Sequence, residues 1–421
     1  MKRRNKRTKI LFIVIVIIIP FLIATHNDSL APVQNPVKKK NTQTNLPANP
    51  YMNKVLDEYE ASMEQIMKKT GIPGAAITIV QDTTTLYMKG LGVKAINTYD
   101  SIDENTVFRL GSVSKCFASV LTAELVHEHI LEWNDPVVQY LPDFKLKSDE
   151  QTQCLTISNV LSHTTGLPYH TYTTLIEDGI DLKTMISKLA NINCGKVGEV
   201  YSYQNVAYSL IGEVVQSATG KTYEEMLAEK IFKPLHMKNA SCTYDDIIYN
   251  DNVAQPHLIK RRHWKQIPIS DKYYNVTPAG GINASIADMN KWIKALLGNN
   301  PDVITQESLD KIFEPFISAG SKNRSYRKVD HINETFYALG WRVIHFPHDT
   351  IVYHGGYVNG YRSEVAIHPK DKIAICILSN APGSLTDNGI PIFLKLYFAH
   401  REIIKQWENE RHYNPPVATA K

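Results

Sequence analysis

Phe108-Arg109-Leu110-Gly111-Ser112-Val113-Ser114-Lys115 leads into a run in which Val113, Phe117, Val120, Leu121 and Leu125 recur at helical spacing. The segment therefore delivers Ser112 to the start of an apolar helix, with Lys115 one turn further on. Residues at i and i+3 share a helix face, so an amine at 115 can take the proton of a hydroxyl at 112. Burial would lower the lysine pKa, and the helix dipole would favour a developing anion. The alternative for Ser112 is an N-cap serine.

Outward from this stretch, Met52 to Lys69 places Val55, Tyr59, Met63, Ile66 and Met67 at helical spacing, and Gly71 with Pro73 ends the helix. Ala75–Gln81 and Thr85–Leu91 flank a short polar turn and predict an antiparallel hairpin. The far end mirrors this order: Tyr361–His368 and Lys372–Ser379 predict a second hairpin, and Ile390–Trp407 a helix. These elements predict an α/β (α+β) fold with one antiparallel sheet built from both chain ends, covered by the N- and C-terminal helices. The α/β lobe takes residues 50–140 and 275–410, a mainly helical lobe takes 140–275, and 411–421 is a tail. A cleft between the lobes is the expected site.

The chain has 421 residues and a net charge of +4, unevenly placed. Residues 1–49 hold nine Lys/Arg against Asp28, a local +8, so the remaining 372 residues carry −4. That body, with 37 basic and 41 acidic side chains, has no overall field to attract nucleic acid. The basic flank ends at Lys9, and Ile10 to Ala24 carries no charge. As a helix this run spans about 22 Å, short of the roughly 30 Å hydrocarbon core, which suits an export signal. Residues 1–25 are expected to act as a signal peptide or, uncleaved, as a membrane anchor, because Pro32 follows the small-x-small pattern Ser29-Leu30-Ala31. Residues 26–49 read as a flexible linker. The body is expected in the periplasm or outside the cell. Five scattered cysteines offer no zinc pattern and no readable pairing, and Cys376 lies in the apolar run Ile373–Leu378.

Ser-x-x-Lys occurs three times. Ser308/Lys311 falls in an amphipathic helix and Ser325/Lys328 in a polar loop, and both pairs are expected at the surface. Tyr-x-Asn, in which a phenol relays a proton and an amide orients substrate, occurs at Tyr203/Asn205, Tyr273/Asn275 and Tyr357/Asn359. His-x-Gly occurs once, at His354-Gly355-Gly356; its glycine would admit substrate close to the backbone, and its first residue would supply a proton or a positive charge. Lys69-Thr70-Gly71 is explained by the end of the first helix. Gly220-Lys221-Thr222 lacks the first glycine of a phosphate loop, His127-Glu128-His129 lacks metal-ligand spacing, and Lys260–Lys265 reads as a solvated basic loop. His163 is expected to structure the cleft floor.

Several segments in order carry a family likeness: Gly71-Ile72-Pro73-Gly74-Ala75-Ala76, Phe108 to Lys115, Asp135-Pro136-Val137 with Tyr140-Leu141-Pro142, and Leu161-Ser162-His163-Thr164-Thr165-Gly166-Leu167-Pro168. Pro278-Ala279-Gly280-Gly281 before Asp288-Met289, and His354-Gly355-Gly356 with Gly360, complete it. Over residues 50–400 the chain resembles the class C β-lactamase-related serine hydrolases, a group of penicillin-binding DD-peptidases, β-lactamases, esterases and D-amino-acid peptidases sharing one β-lactamase/transpeptidase-like fold. The resemblance implies that Ser112 is the acylated nucleophile and Lys115 its proton acceptor. Tyr203 and Asn205 match the second motif because Tyr208, Leu210 and Gly212 follow, with Gln204 where Ser or Ala is commoner. His354, Gly355 and Gly356 match the third, and the backbone N–H groups of Ser112 and Tyr357 would form the oxyanion hole.

No cofactor or metal is implied. The implied partners are a small-molecule or peptide substrate, peptidoglycan fragments among them, and the membrane if the N-terminal segment is kept. His354 stands where dedicated β-lactamases carry lysine, which favours an esterase or DD-peptidase over an antibiotic hydrolase. The competing expectation is a catalytically silent protein that binds cell-wall fragments.

Overall fold

The computed structural model describes residues 49–320 and 325–413. The apolar run Ile10–Ala24, the linker before Asn49 and the tail beyond Tyr413 lie outside the described residues. Among the described residues no helix is long and apolar enough to cross a membrane.

Helix α1 (Pro50–Thr70) starts where Asn49 Oδ1 accepts the N–H groups of Tyr51 and Met52, and it ends at Gly71, whose φ of 65° suits a left-handed cap. Its buried stripe is Met52, Val55, Tyr59 and Met63. The strands of the main sheet are β1 (Gly74–Gln81), β2 (Thr84–Gly92), β3 (Ile317–Ser318), β4 (Glu334–Tyr337), β5 (Arg342–His345), β6 (Thr350–Val358), β7 (Tyr361–His368) and β8 (Ile373–Ser379). They lie in the order β2-β1-β8-β7-β6-β5-β4-β3 with every neighbouring pair antiparallel. The expected sheet from both chain ends is formed at the seam of β1 and β8, where Ile77 faces Ile377 and Thr78 faces Cys376.

Both faces of that seam are covered, which is why β8 reads as a continuous apolar run rather than an alternating one. Ile77, Ile79, Ile375 and Ile377 pack under α1 and the C-terminal helix α4 (Ser384–Tyr413). Ala374, Cys376 and Leu378 face the opposite core with α2 (Ser114–His127) and α3 (Ile286–Lys294). Each fully buried isoleucine contributes about 1.5–3 kcal/mol. α4 begins six residues before the predicted Ile390 and runs on to Tyr413, across Pro391. Ser384–Gly389 is polar apart from Leu385, which hid the first turns; Gly389 packs closely on Ile377, whose Cδ1 would lie 2.5 Å from an added Cβ.

Between Val137 and Ile248 the chain forms short helices, among them Ile157–Leu161, Leu210–Thr219 and Tyr223–Leu227. α2 runs through the core that these helices share with the sheet, and Ser114 to Leu125 of it are all buried. Trp292 of α3 stacks on Phe117 of α2 with ring centroids 3.9 Å apart. Residues Lys260–Lys265, read as a loop, instead lie in a hairpin of His257–Lys260 with His263–Gln266. Trp264 fixes it by donating its indole N–H to Thr70 O, the end of α1. All five cysteines are free, and Cys376 is buried as its apolar context implied.

Candidate active site

The strand Val107–Arg109 pairs with Asn283–Ser285, and Leu110 N–H continues the ladder to Ile282 O. Gly111, at φ 51°, then turns the chain into the short 3-10 turn that carries Ser112 into α2. A Cβ on Gly111 would lie 2.9 Å from the backbone of Tyr357. Ser112 is partly exposed, while Lys115 below it is completely buried.

Lys115 Nζ donates to Asn205 Oδ1 and to Ala279 O, both at 2.8 Å. Burial drives its pKa well below that of a free lysine, outweighing an opposing effect of Cys116, and the nearby Arg342 charge lowers it further. A neutral amine has two N–H donors, so both are used and the remaining tetrahedral position is a lone pair. The Ala279 carbonyl comes from the Thr277–Gly280 turn, which gives the Pro278-Ala279-Gly280-Gly281 segment a concrete task.

Tyr203 is 6% exposed, and its hydroxyl interacts with Ser112. Burial raises the phenol pKa, which the Ser112 hydroxyl and Arg342 only partly oppose, so Tyr203 is a neutral donor at pH 7. Lys115 Nζ sits 4.7 Å from the Tyr203 ring centroid. Tyr208 reinforces the arrangement by donating to Lys115 O at 2.8 Å. Gln204, between Tyr203 and Asn205, is buried and structural: its Oε1 accepts Thr171 N–H and its Nε2 donates to Leu167 O. His163, also buried, accepts Gln204 N–H at Nδ1 and lies 4.3 Å from the Tyr203 ring, forming a floor as expected.

Two of the motif residues have partners within the protein. The amide oxygen of Asn205 accepts from Lys115, and its Nδ2 is left for the substrate-orienting task expected of it. His354 was expected to supply a proton or charge, yet it is 1% exposed and burial, aided by Arg342 and Lys115, pushes its pKa well below the ordinary histidine value. Since a carbonyl only accepts, His354 donates from Nδ1 to Gly355 O at 2.9 Å and accepts from Tyr337 O–H at Nε2, 3.1 Å away.

The two glycines after it differ. A Cβ at Gly355 would meet nothing nearer than 3.8 Å, whereas at Gly356 it would lie 2.0 Å from Leu110 O, 2.4 Å from Ser363 Oγ and 3.0 Å from Ser112 N. Gly356 therefore admits the protein's own Leu110–Ser112 backbone, not a substrate, as had been expected. This close approach sets Ser112 N beside the Gly356–Tyr357 segment. The Tyr357 side chain is 49% exposed.

Several residues of the other motif copies have partners of their own. Ser308 is buried, not at the surface, because its N–H and hydroxyl are tied to Thr305 at the start of its helix. Lys311 is paired with Glu314 at 2.9 Å, beside a groove of about 880 Å³. Lys328 is exposed and bonds Asn388, and Asn275 holds the carbonyls of Ile176 and Ile180.

One residue of the site went unseen in the sequence. Arg342 of β5 places its guanidinium 5.7 Å from the Tyr203 ring centroid and 5.6 Å from that of Tyr337. The signal for it was a lone charge inside the apolar stretch Leu339–Ile344.

This sheet and helix arrangement is that of the β-lactamase/transpeptidase-like fold. It matches an octameric penicillin-binding protein homologue from Pyrococcus abyssi with a TM-score of 0.71 at 22% identity, over 83% of this chain and 77% of that one. A class C β-lactamase matches with a TM-score of 0.68 at 18% identity, over 84% of this chain and 98% of that one. A family model described as Beta-lactamase covers residues 60–395, and the chain belongs to that family. Protein flp of Staphylococcus aureus (strain MRSA252) is 26% identical over 77% of this chain and 62% of its own length. The unguisins hydrolase ungD' of Aspergillus campestris is 27% identical over 77% of this chain and 61% of its own. The chain thus spans under two thirds of these curated relatives.

Proposed function

We propose that the protein is an exported serine hydrolase that cleaves an amide or ester through an acyl-enzyme on Ser112. The observation that carries this reading is the state of Lys115: a buried amine held by Asn205 and Ala279, one turn after a partly exposed serine that a buried phenol contacts. Burial lowers the pKa of such a lysine and so favours the neutral amine that can act as a base.

Ser112 Oγ attacks the acyl carbon, and its proton passes to Lys115 directly or by way of the Tyr203 hydroxyl. The oxyanion accepts from the N–H groups of Ser112 and Tyr357, where loss of one donor costs about 3–4 kcal/mol. Collapse breaks the bond to the leaving amine or alcohol, which takes the proton back from the Lys115 side. Water then repeats the sequence on the acyl-enzyme and frees the acid. His354, neutral and buried, serves by holding β6 and Tyr337 in place, which supports a DD-peptidase or esterase over a dedicated β-lactamase. The N-terminal basic and apolar segment supports action outside the cytoplasmic membrane, on a small-molecule or peptide substrate such as a peptidoglycan fragment.

Intact-mass measurement after exposure to a penicillin and to an activated ester tests the reading against the silent binder. A covalent adduct present in the wild type, absent in Ser112→Ala and decaying with time supports the hydrolase. A protein that binds peptidoglycan fragments while neither reagent adds mass is the silent binder.

A further inference from the structure

The hairpin of His257–Lys260 with His263–Gln266 is a two-stranded ribbon separate from the main sheet, and its tip is Arg261-Arg262. Between Asp251 and Asp271 the chain holds no acidic residue. Lys260, Arg261, Arg262 and Lys265 are all exposed, and the last turn of α1, which Trp264 grips through Thr70 O, adds exposed Lys68 and Lys69. Among the described residues no carboxylate forms an ion pair with any of these six cations. The body as a whole carries −4, so the ribbon is a local positive field on a mildly acidic protein.

The tip adopts a backbone that its residues disfavour. A two-residue hairpin loop with both central residues at positive φ prefers Asn-Gly, yet here two arginines take it, at φ 53° and 67°. Ile259 pairs with Trp264 across the ribbon and is 60% exposed, so it carries the apolar side of Trp264 outward among the cations. Charges that only protected the ribbon's edges from pairing would need no exposed isoleucine beside them. Cations flanking a solvent-facing apolar side chain match the anionic headgroup layer of a bilayer, where the charges meet phosphates and the isoleucine enters the boundary beneath. A soluble polyanion offers Ile259 no such place.

The root of the ribbon is tied to the candidate active site. A Cβ on Gly360 would lie 3.0 Å from Pro256 Cβ and 3.1 Å from His257 N, and Tyr361 donates its hydroxyl to Ala254 O at 2.7 Å. The ribbon is therefore seated on the β6–β7 turn that follows Tyr357. We infer that the Arg261-Arg262 tip and Ile259, with the lysines at the end of α1, dock the body on an anionic phospholipid surface. This stands independently of whether Ser112 is a nucleophile.

Hydrogen exchange followed by mass spectrometry on the full chain reads the ribbon itself, so attachment through the N-terminal segment does not enter the comparison. Vesicles of phosphatidylcholine with about 30% phosphatidylglycerol should slow exchange across residues 258–266 about 10-fold relative to pure phosphatidylcholine vesicles. Salt at about 1 M, with a screening length of about 3 Å, should abolish the difference. Arg261→Asn with Arg262→Gly supplies the pair that this turn prefers, so the ribbon keeps its fold while losing two charges. That variant with Lys260→Gln and Lys265→Gln added should lose the lipid-dependent slowing, at a melting temperature no lower than the wild type's. Ile259→Ser should reduce the slowing on the same vesicles. Slowing that is equal on both vesicle types, that survives removal of the four charges, or that inorganic polyphosphate reproduces in full overturns the inference. Each of these results leaves Ser112-dependent hydrolysis of a soluble ester untouched.

Discussion

Lys115 and Asn205 are 90 residues apart in the chain, yet Lys115 Nζ donates to Asn205 Oδ1 at 2.8 Å inside a fully buried pocket. Asn205 satisfies the amine without charging it. An aspartate of the same shape would hold a proton on it instead.

Asn205→Asp is therefore expected to raise the Lys115 pKa and to move the acid limb of the kcat/KM profile upward by about 1–3 pH units. At pH 7 the variant loses activity, and it recovers part of that loss as pH rises. An acid limb that stays in place would show that Asn205 does not govern the charge of Lys115.

Gly356→Ala drives a methyl group into Leu110 O, Ser363 Oγ and Ser112 N, while Gly355→Ala next to it meets no atom nearer than 3.8 Å. The first should cost about 1–3 kcal/mol of stability through overpacking and remove most hydrolysis by shifting β6 away from Ser112. The second should leave melting temperature and rate nearly unchanged. Melting curves and ester hydrolysis for the pair decide the matter, and equal effects would contradict the oxyanion geometry.

Glu364 is 7% exposed; its Oε1 receives a hydrogen bond from Tyr326 at 3.4 Å and its Oε2 has no partner. Burial lifts its pKa from 4.5 to about 8. Below pH 4.5 folded and unfolded chains are both protonated and no stability difference arises from this group. Between pH 4.5 and 8 the unfolded chain releases a proton that the folded chain keeps, so stability falls as pH rises and then levels off. Glu364→Gln removes this fall, and its advantage should grow across that window to at most about 5 kcal/mol. Denaturant unfolding at pH 5 and pH 8.5 checks it; an advantage that is constant with pH would rule it out.

Gln204 ties Thr171 N–H and Leu167 O to the Tyr203 loop. Gln204→Ala leaves a buried N–H and a carbonyl without partners, which should cost about 1–3 kcal/mol. Because Tyr203 and Lys115 are held by other bonds, Ser112 should still be acylated in the variant. Loss of acylation with the fold intact would place Gln204 in the chemistry itself.

Much of the fold was legible because its elements carry strong local signals. The stripe of α1, its glycine stop and the apolar runs of β1 and β8 follow from burial on one or two faces. The start of α4 was not, since Ser384–Gly389 is polar apart from Leu385 and its packing on Ile377 joins segments with no shared local pattern. At the site, Ser112 could be told from Ser308 by the apolar helix it enters, but the burial of Ser308 comes from Thr305 capping that no periodicity reveals. The use of Gly356 and of Ala279 O is set by contacts between segments far apart in sequence. Arg342 was overlooked for the same reason: its meaning comes from the Tyr203 ring, 139 residues earlier in the chain.

The central claim is that Lys115 is an uncharged base at neutral pH. Single-turnover acylation of Ser112 by an activated ester, followed by intact mass across the pH range, measures it most directly. The account predicts a rate that is already on its plateau at pH 7 and falls only at lower pH. A rate that instead climbs about tenfold per pH unit from pH 7 towards the ordinary lysine pKa near 10.4 would contradict it.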